Sequence, residues 1–139
     1  MNFLLDTCVI SELTRPVPDA GVAAWITSQQ EARLYLSVIT IGEVRRGIER
    51  LPNSRKRRRI ESWLNNELGR RFSGRFIPVG DEVAERWGLE SAKADKRGTP
   101  LPVIDGLIAA TGLVHGMTVV TRDHHMAQTG VELWNPWQP

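Results

Sequence analysis

The sequence predicts an α/β domain with a mostly parallel central sheet of four to five strands, flanked by helices on both faces. Three observations predict it. Short apolar runs of strand length recur along the 139 residues, stretches of helical period separate them, and turn-forming residues fall between the two. Strands that alternate with helices build parallel sheets, because each crossover helix returns across a sheet face and covers it. The length suits one domain, residues 1–139, and 41% hydrophobic with 24% charged residues is a globular balance, neither disordered nor membrane-embedded.

The elements follow in order. "FLL" at 3–5 is a buried strand, followed at once by Asp6. "PDAGVAAWITSQ" is a helix with Asp19 as its N-cap and Val22, Trp25 and Ile26 at helical spacing. "LYLS" at 34–37 is the second strand, and "TIGEVRRGIERL" repeats apolar residues at Ile41, Val44, Ile48 and Leu51, the stripe of a second helix. A longer polar helix runs from about Ser54 to Arg71, before the strand "RFIPV" at 75–79. Another helix spans about Asp81 to Lys96. "KRGTPLP" at 96–102 is a loop, since Gly98, Pro100 and Pro102 resist regular structure. "PVIDGLIAATGLVHG" is an apolar helix closed by Gly116, and it must be largely buried. "MTVVT" at 117–121 is a strand, and "VELWNPWQP" gives a short last one that Pro136 stops.

No apolar run approaches the ~20 residues that span a bilayer. The N-terminus lacks the basic, apolar and small-residue pattern of a secretion signal, so the expected location is cytoplasmic, with no membrane partner. The single cysteine, Cys8, has no internal disulfide partner. A net charge of +2 does not by itself argue for nucleic acid, but the charge is unevenly placed. Arg45, Arg46 and Arg50, then "RKRRR" at 55–59, then Arg70, Arg71 and Arg75 form a basic band. Such a band suits a phosphate backbone, and equally a solvated helix face balanced by Glu49, Glu61 and Glu67.

Four acids stand where a core would not choose them. In open parallel sheets ligands bind at the carboxyl ends of strands, where Asp6 and Asp123 both fall. An Asp after a strand is ordinarily an N-cap, so neither residue alone marks a site. Asp105 lies in the first turn of the apolar helix, where burial of an ionised carboxylate needs a partner charge or metal, although the helix dipole also favours it. It shares a stripe of small residues with Ala109 and Gly112, opposite Val103, Ile104, Leu107 and Val114. That stripe is expected to admit close approach of a ligand or chain. Glu43 stands beside Thr40 and Gly47, away from the apolar stripe of its helix, and a surface Glu three residues before Arg46 is also an ordinary helix pair. Two acids at strand ends and two in first helical turns are the donor set of a hard cation such as Mg2+, with Mn2+ as a substitute. Without the cation, like charges this close would repel.

The segments "LLDTCVISEL", "LSVITIGEVRRGI", "DGLIAATGLVHGMTVVTRD" and "NPW" together resemble the PIN-domain ribonucleases, in particular the VapC and FitB-like toxins of bacterial toxin–antitoxin pairs. The resemblance covers nearly the whole chain. It implies an acidic quartet at Asp6, Glu43, Asp105 and Asp123 acting as catalytic residues and metal ligands, with Thr7 and Thr121 as supporting hydroxyls. It implies Mg2+- or Mn2+-dependent hydrolysis of RNA phosphodiester bonds, with transfer RNA as a family expectation and translation as the process inhibited. Arg45, Arg46 and Arg122 are the candidates for RNA contact. The implied partners are a VapB- or FitA-like antitoxin, operator DNA through that antitoxin, and a second copy in a homodimer or larger assembly. Cys8 is a departure, standing where such proteins usually carry Asn.

Other readings have sequence signatures of their own. An antitoxin-binding component of a DNA-bound repressor, without nuclease turnover, would use the acids as a dock for a basic partner residue, which does not require several of them. An aspartyl-phosphate hydrolase would want an acid where Cys8 stands, and a receiver domain a Lys where Arg122 stands. Zinc held by His124 and His125 is disfavoured because adjacent side chains diverge, and the pair is expected to start a short surface helix. DNA cleavage shares the metal chemistry. Trp25, Trp63 and Trp87 are either partner anchors or core.

Overall fold

The computed structural model describes residues 1–137. Five strands, β1 (Phe3–Leu5), β2 (Leu34–Ser37), β3 (Phe76–Ile77), β4 (Thr118–Val120) and β5 (Leu133–Trp134), form one sheet in the order β3-β2-β1-β4-β5, and every neighbouring pair is parallel. The expected mostly parallel sheet is thus wholly parallel. The third strand is shorter than 75–79, confined to the residues paired with Leu36 and Ser37.

Alternation along the strands feeds two cores. Leu5, Leu34, Leu36 and Val120 point to one face, where they meet Val9 and Ile10 of helix α1 (Thr7–Leu13), Val22 and Ile26 of α2 (Ala20–Ser28), and Val44 and Ile48 of α3 (Val38–Glu49). Leu4 and Val119 point to the other, against Ile108 and Ala109 of α7 (Val103–His115). The same face of the molecule carries α6 (Asp81–Lys96), packed along α7. Asp19 caps α2 as expected, accepting the backbone N–H groups of Gly21 and Val22 at 2.9 and 3.1 Å. Gly116 ends α7 at φ +64°, a left-handed conformation that glycine adopts without a Cβ penalty.

The long polar helix is continuous but not uniform. Arg55–Ser62 (α4) and Gly69–Arg71 (α5) are α-helical, and between them Trp63–Leu68 widens into a π-helical segment. Trp63 and Leu68, five residues apart, both pack on the first core across this wider turn.

The apolar helix corrects its expected burial. Val103 and Ile104 in its first turn are 58% and 36% exposed, whereas the small residues Ala109 and Gly112 are buried. A Cβ at Gly112 would stand 2.9 Å from methyl groups of both Val119 and Val131. At Ala109 and Gly112 the small stripe therefore lets α7 settle on the sheet, and it is the sheet that makes the expected close approach. The three tryptophans considered as partner anchors are half-buried against their own chain: Trp25 meets Phe3 edge-on at 5.0 Å between ring centroids, Trp63 packs on the core, and Trp87 lies against Gly106.

The strand order positions the site. From β1 the chain moves outward through β2 to β3, then returns past β1 to β4 and β5. The winding reverses between β1 and β4, and the crevice beyond the carboxyl ends at such a reversal is where parallel sheets bind ligands.

Candidate active site

Asp6 leaves β1 at that reversal. Its backbone N–H continues the sheet ladder to the Val120 carbonyl at 3.0 Å, and its side chain caps α1 by accepting the Thr7 N–H at 2.8 Å. The other carboxylate oxygen accepts the Thr121 hydroxyl at 2.8 Å. Thr121 in turn accepts the Asp123 N–H at 3.0 Å, so one buried hydroxyl connects the two strand-end acids. Asp6 is therefore a helix cap and also a wall of the crevice.

Glu43 arrives from the opposite side. Thr7 donates its hydroxyl to the Glu43 carboxylate and sits 3.3 Å from the buried Thr40 hydroxyl, which joins α1 to α3 at the site. The expectation that Glu43 occupies a first helical turn is corrected: α3 begins at Val38, two residues before the expected Thr40, because Ser37 caps it by accepting the Ile39 N–H, and Glu43 falls in its second turn. Asp105 does lie in the first turn of α7.

All four acids line one cleft of about 810 Å³, together with Thr7, Cys8, Lys56, Arg59 and Arg122. Among the described residues no Lys or Arg is ion-paired with any of the four. Their charges act on one another instead. Burial pushes the Asp6 carboxyl above its usual range; hydrogen bonds from Thr121 and Thr7 oppose this, while the charges of Glu43 and Asp123 reinforce it. Burial, then the charges of Asp123 and Asp6, push Asp105 up to about 6. Asp123 moves the other way: burial opposes the change, but hydrogen bonds from the backbone and imidazole of His125 hold it below the usual carboxylate range. Carboxylates crowded into one cleft without a Lys or Arg partner fit a divalent cation, which hard oxygen donors of this kind would hold.

The Asp105 shift has a measurable sign. An acid whose pKa is higher folded than unfolded binds protons more tightly when folded, so its contribution to stability is greatest at low pH and is lost as pH rises from about 4 to about 6. The cation-free protein is expected to lose stability across that window relative to an Asp105→Asn variant, which lacks the titration. Thermal melts of both proteins at pH 5 and pH 7 check this; parallel changes would remove Asp105 as the cause.

The basic candidates divide. Arg122 lines the cleft and stacks over the Trp137 ring at 4.8 Å. Arg45 is held by Glu61 at 3.0 Å and Asn65 at 2.7 Å, and Arg46 is exposed on the last turn of α3; neither lines the cleft. Lys56 and Arg59, recognised in sequence only as part of the basic band, do. Every residue from 55 to 59 is basic, so the charge pattern conceals which face turns inward. The Cys8 thiol lies 3.8 Å from Asp6 Oδ2 and 3.5 Å from the Thr121 hydroxyl, and burial, then the Asp6 charge, push its pKa up, so it remains a neutral thiol. His124 and His125 do open a short 3-10 turn, His125–Thr129, but His125 also reaches Asp123, a contact the sequence reading missed. The Asp-x-His spacing was the available signal.

Comparison with known proteins agrees with this architecture. The PIN domain family model matches residues 3–132. The chain is 37% identical over 137 residues to the VapC ribonuclease Y4jK of Sinorhizobium fredii, covering 98% of each protein. It is 38% identical over 135 residues to toxin FitB of Neisseria gonorrhoeae, covering 96% of this chain and 97% of that one. The crystal structure of FitAcB from Neisseria gonorrhoeae superposes with a TM-score of 0.92 at 37% identity over 99% of both chains. A structure of FitAB bound to an IR36 DNA fragment gives 0.90 at 38% identity, over 97% of this chain and 95% of that one. With the parallel sheet, the reversal at β1 and β4 and the acids gathered there, these matches show that the chain belongs to the PIN domain family.

Proposed function

We propose that this protein is the metal-dependent endoribonuclease toxin of a toxin–antitoxin pair, hydrolysing RNA phosphodiester bonds and so inhibiting translation until an antitoxin neutralises it. The observation that carries the reading is the cleft itself, which four carboxylates with no Lys or Arg ion pair share with Lys56, Arg59 and Arg122. Similarity along nearly the whole chain to proteins named as a VapC ribonuclease and as toxin FitB supports it.

Asp6, Glu43, Asp105 and Asp123 would hold Mg2+, or Mn2+ in its place. A bound divalent cation of this kind polarises the phosphate and lowers the pKa of the attacking water. The chain's own residues prepare the cleft. Thr121 and the Thr7 N–H aim the two oxygens of Asp6, the Thr7 hydroxyl aims Glu43, and the backbone links of β1 to β4 keep Asp6 and Asp123 in register. Lys56, Arg59 and Arg122 would hold flanking phosphates, giving salt-dependent affinity with little choice of sequence. Transfer RNA is the proposed substrate, and a VapB- or FitA-like antitoxin the proposed partner, linking toxin homodimers to operator DNA; the structure of FitAB bound to a DNA fragment supports such a link.

The test incubates antitoxin-free protein with total cellular RNA and a matched single-stranded DNA, under Mg2+, Mn2+ or excess EDTA. Discrete RNA cleavage abolished by EDTA is the expected result. Cleavage of DNA alone would replace RNA as substrate, and inactivity alongside antitoxin and operator binding would favour a purely binding role. The basic wall makes a separate prediction. Replacing Lys56, Arg59 or Arg122 by Gln should each lower the slope of log affinity against log salt by about 0.7 for a single-stranded ligand, whatever its sequence. The same change at Arg45 should leave the slope unaltered, because that guanidinium is already occupied by Glu61 and Asn65. Fluorescence anisotropy across a salt series measures both.

A further inference from the structure

His125 stands at the Asp105 and Asp123 end of the cleft, outside the acidic quartet. Its Nδ1 lies 2.7 Å from Asp123 Oδ1 and 3.8 Å from Asp105 Oδ2, and donor atoms of the three residues all lie within 4.8 Å of one another. The side chain is 61% exposed, yet its backbone is fixed. The Asp123 carboxylate accepts the His125 N–H at 2.9 Å, the following Met126 is fully buried, and the His124 ring stacks at 5.6 Å. Gln128, in the same turn, bonds Arg97 and Thr99 of the loop that leads into α7. The turn carrying His125 and the helix carrying Asp105 are therefore tied together.

We infer that His125 supplies a nitrogen ligand to the cation held by Asp105 and Asp123, and that this nitrogen makes the site prefer Mn2+ over Mg2+. The inference rests on the reading of the acids as a cation site and specifies its chemistry. Ligands about 2.1 Å from one octahedral cation stand roughly 3 to 4 Å from each other. The 3.8 Å separation falls within that spacing and the 2.7 Å separation lies just below it. Mg2+ demands oxygen ligands and gives up water reluctantly, whereas a first-row transition ion accepts imidazole. In the cation-free cleft the ring donates a hydrogen bond from Nδ1 to Asp123; as a ligand Nδ1 would exchange that proton for the cation, leaving the ring proton on Nε2.

The experiment loads the tag-free full chain with Mn2+ and records pulsed electron paramagnetic resonance for imidazole nitrogen coupling, beside His125→Phe, His125→Gln and His124→Phe. Circular dichroism and thermal melting establish that each variant folds. Coupling is expected in wild type and His124→Phe and absent from both His125 variants. By calorimetry, His125→Phe should weaken Mn2+ binding about tenfold or more and Mg2+ binding less than about threefold. Mn2+-loaded wild type without nitrogen coupling, or coupling that survives in His125→Phe, overturns the assignment. RNA cleavage is scored separately. Coupling without cleavage keeps His125 as a ligand and overturns the nuclease reading, cleavage without coupling does the reverse, and absence of Mn2+ binding overturns the ligand assignment whatever the cleavage result.

Discussion

Asp6→Asn is expected to lower RNA cleavage by at least about a hundredfold while leaving the chain folded. The change keeps the shape of the side chain and removes its charge. The amide oxygen still accepts the Thr7 N–H or the Thr121 hydroxyl, so the cap of α1 and the link to β4 survive in part. What is lost is a carboxylate placed where the winding reverses, and outer-shell changes around metal ligands already cost about 10- to 100-fold in affinity or activity. Stability should move the other way. Burial and the charges of Glu43 and Asp123 raise the Asp6 pKa, so the ionised carboxylate is an unfavourable resident of the cation-free fold at neutral pH. The expected signature is a variant that melts at or above the wild-type temperature without cation, fails to gain stability when Mg2+ or Mn2+ is added, and does not cleave. Equal activity in both proteins would reduce Asp6 to a helix cap.

The largest expected loss of stability comes from the neighbouring residue. Leu5→Ala should destabilise the protein by about 2–5 kcal/mol, a substantial part of the ~5–15 kcal/mol that holds a domain together. Leu5 is completely buried on the face shared with Val9, Ile10 and Val120, on the strand that occupies the centre of the sheet. With helices covering that face, the site collapses poorly around the missing atoms, and the cavity adds to the lost transfer energy. A fall in melting temperature of roughly 8–20 °C follows for a chain of this size, read by calorimetry or circular dichroism. The adjacent pair separates the two uses of β1: Leu5 supports the fold, Asp6 serves the cleft at some cost to it. A change below about 1 kcal/mol at Leu5 would mean that the core accommodates the loss by repacking.

Much of this architecture was legible in the sequence, because strand and helix periods are local. "LYLS" and the Asp81–Lys96 helix fall where the pattern places them. Asp6 and Asp123 were legible because an acid directly after a buried strand has few places to go in a parallel sheet. The errors share one cause. The apolar helix was expected to be buried along most of its length, but it settles on the sheet through Ile108, Ala109 and Gly112, leaving Val103 and Ile104 exposed. The basic band was legible as charge, not as direction: Arg45 turned out to be engaged by Glu61 and Asn65, while Lys56 and Arg59 face the cleft.

The sequence by itself determined the order of the strands along the chain, the helices after the one at Thr7–Leu13, and the parallel α/β class, since period, capping and turn chemistry act over a few residues. Only the tertiary structure decided that Thr121 joins Asp6 to Asp123 across 115 positions, that Thr7 ties α1 to Glu43, and that His125 meets Asp105. Those contacts depend on strand register and on the depth to which each helix settles on the sheet, and these are set by long-range packing that local periodicity does not encode.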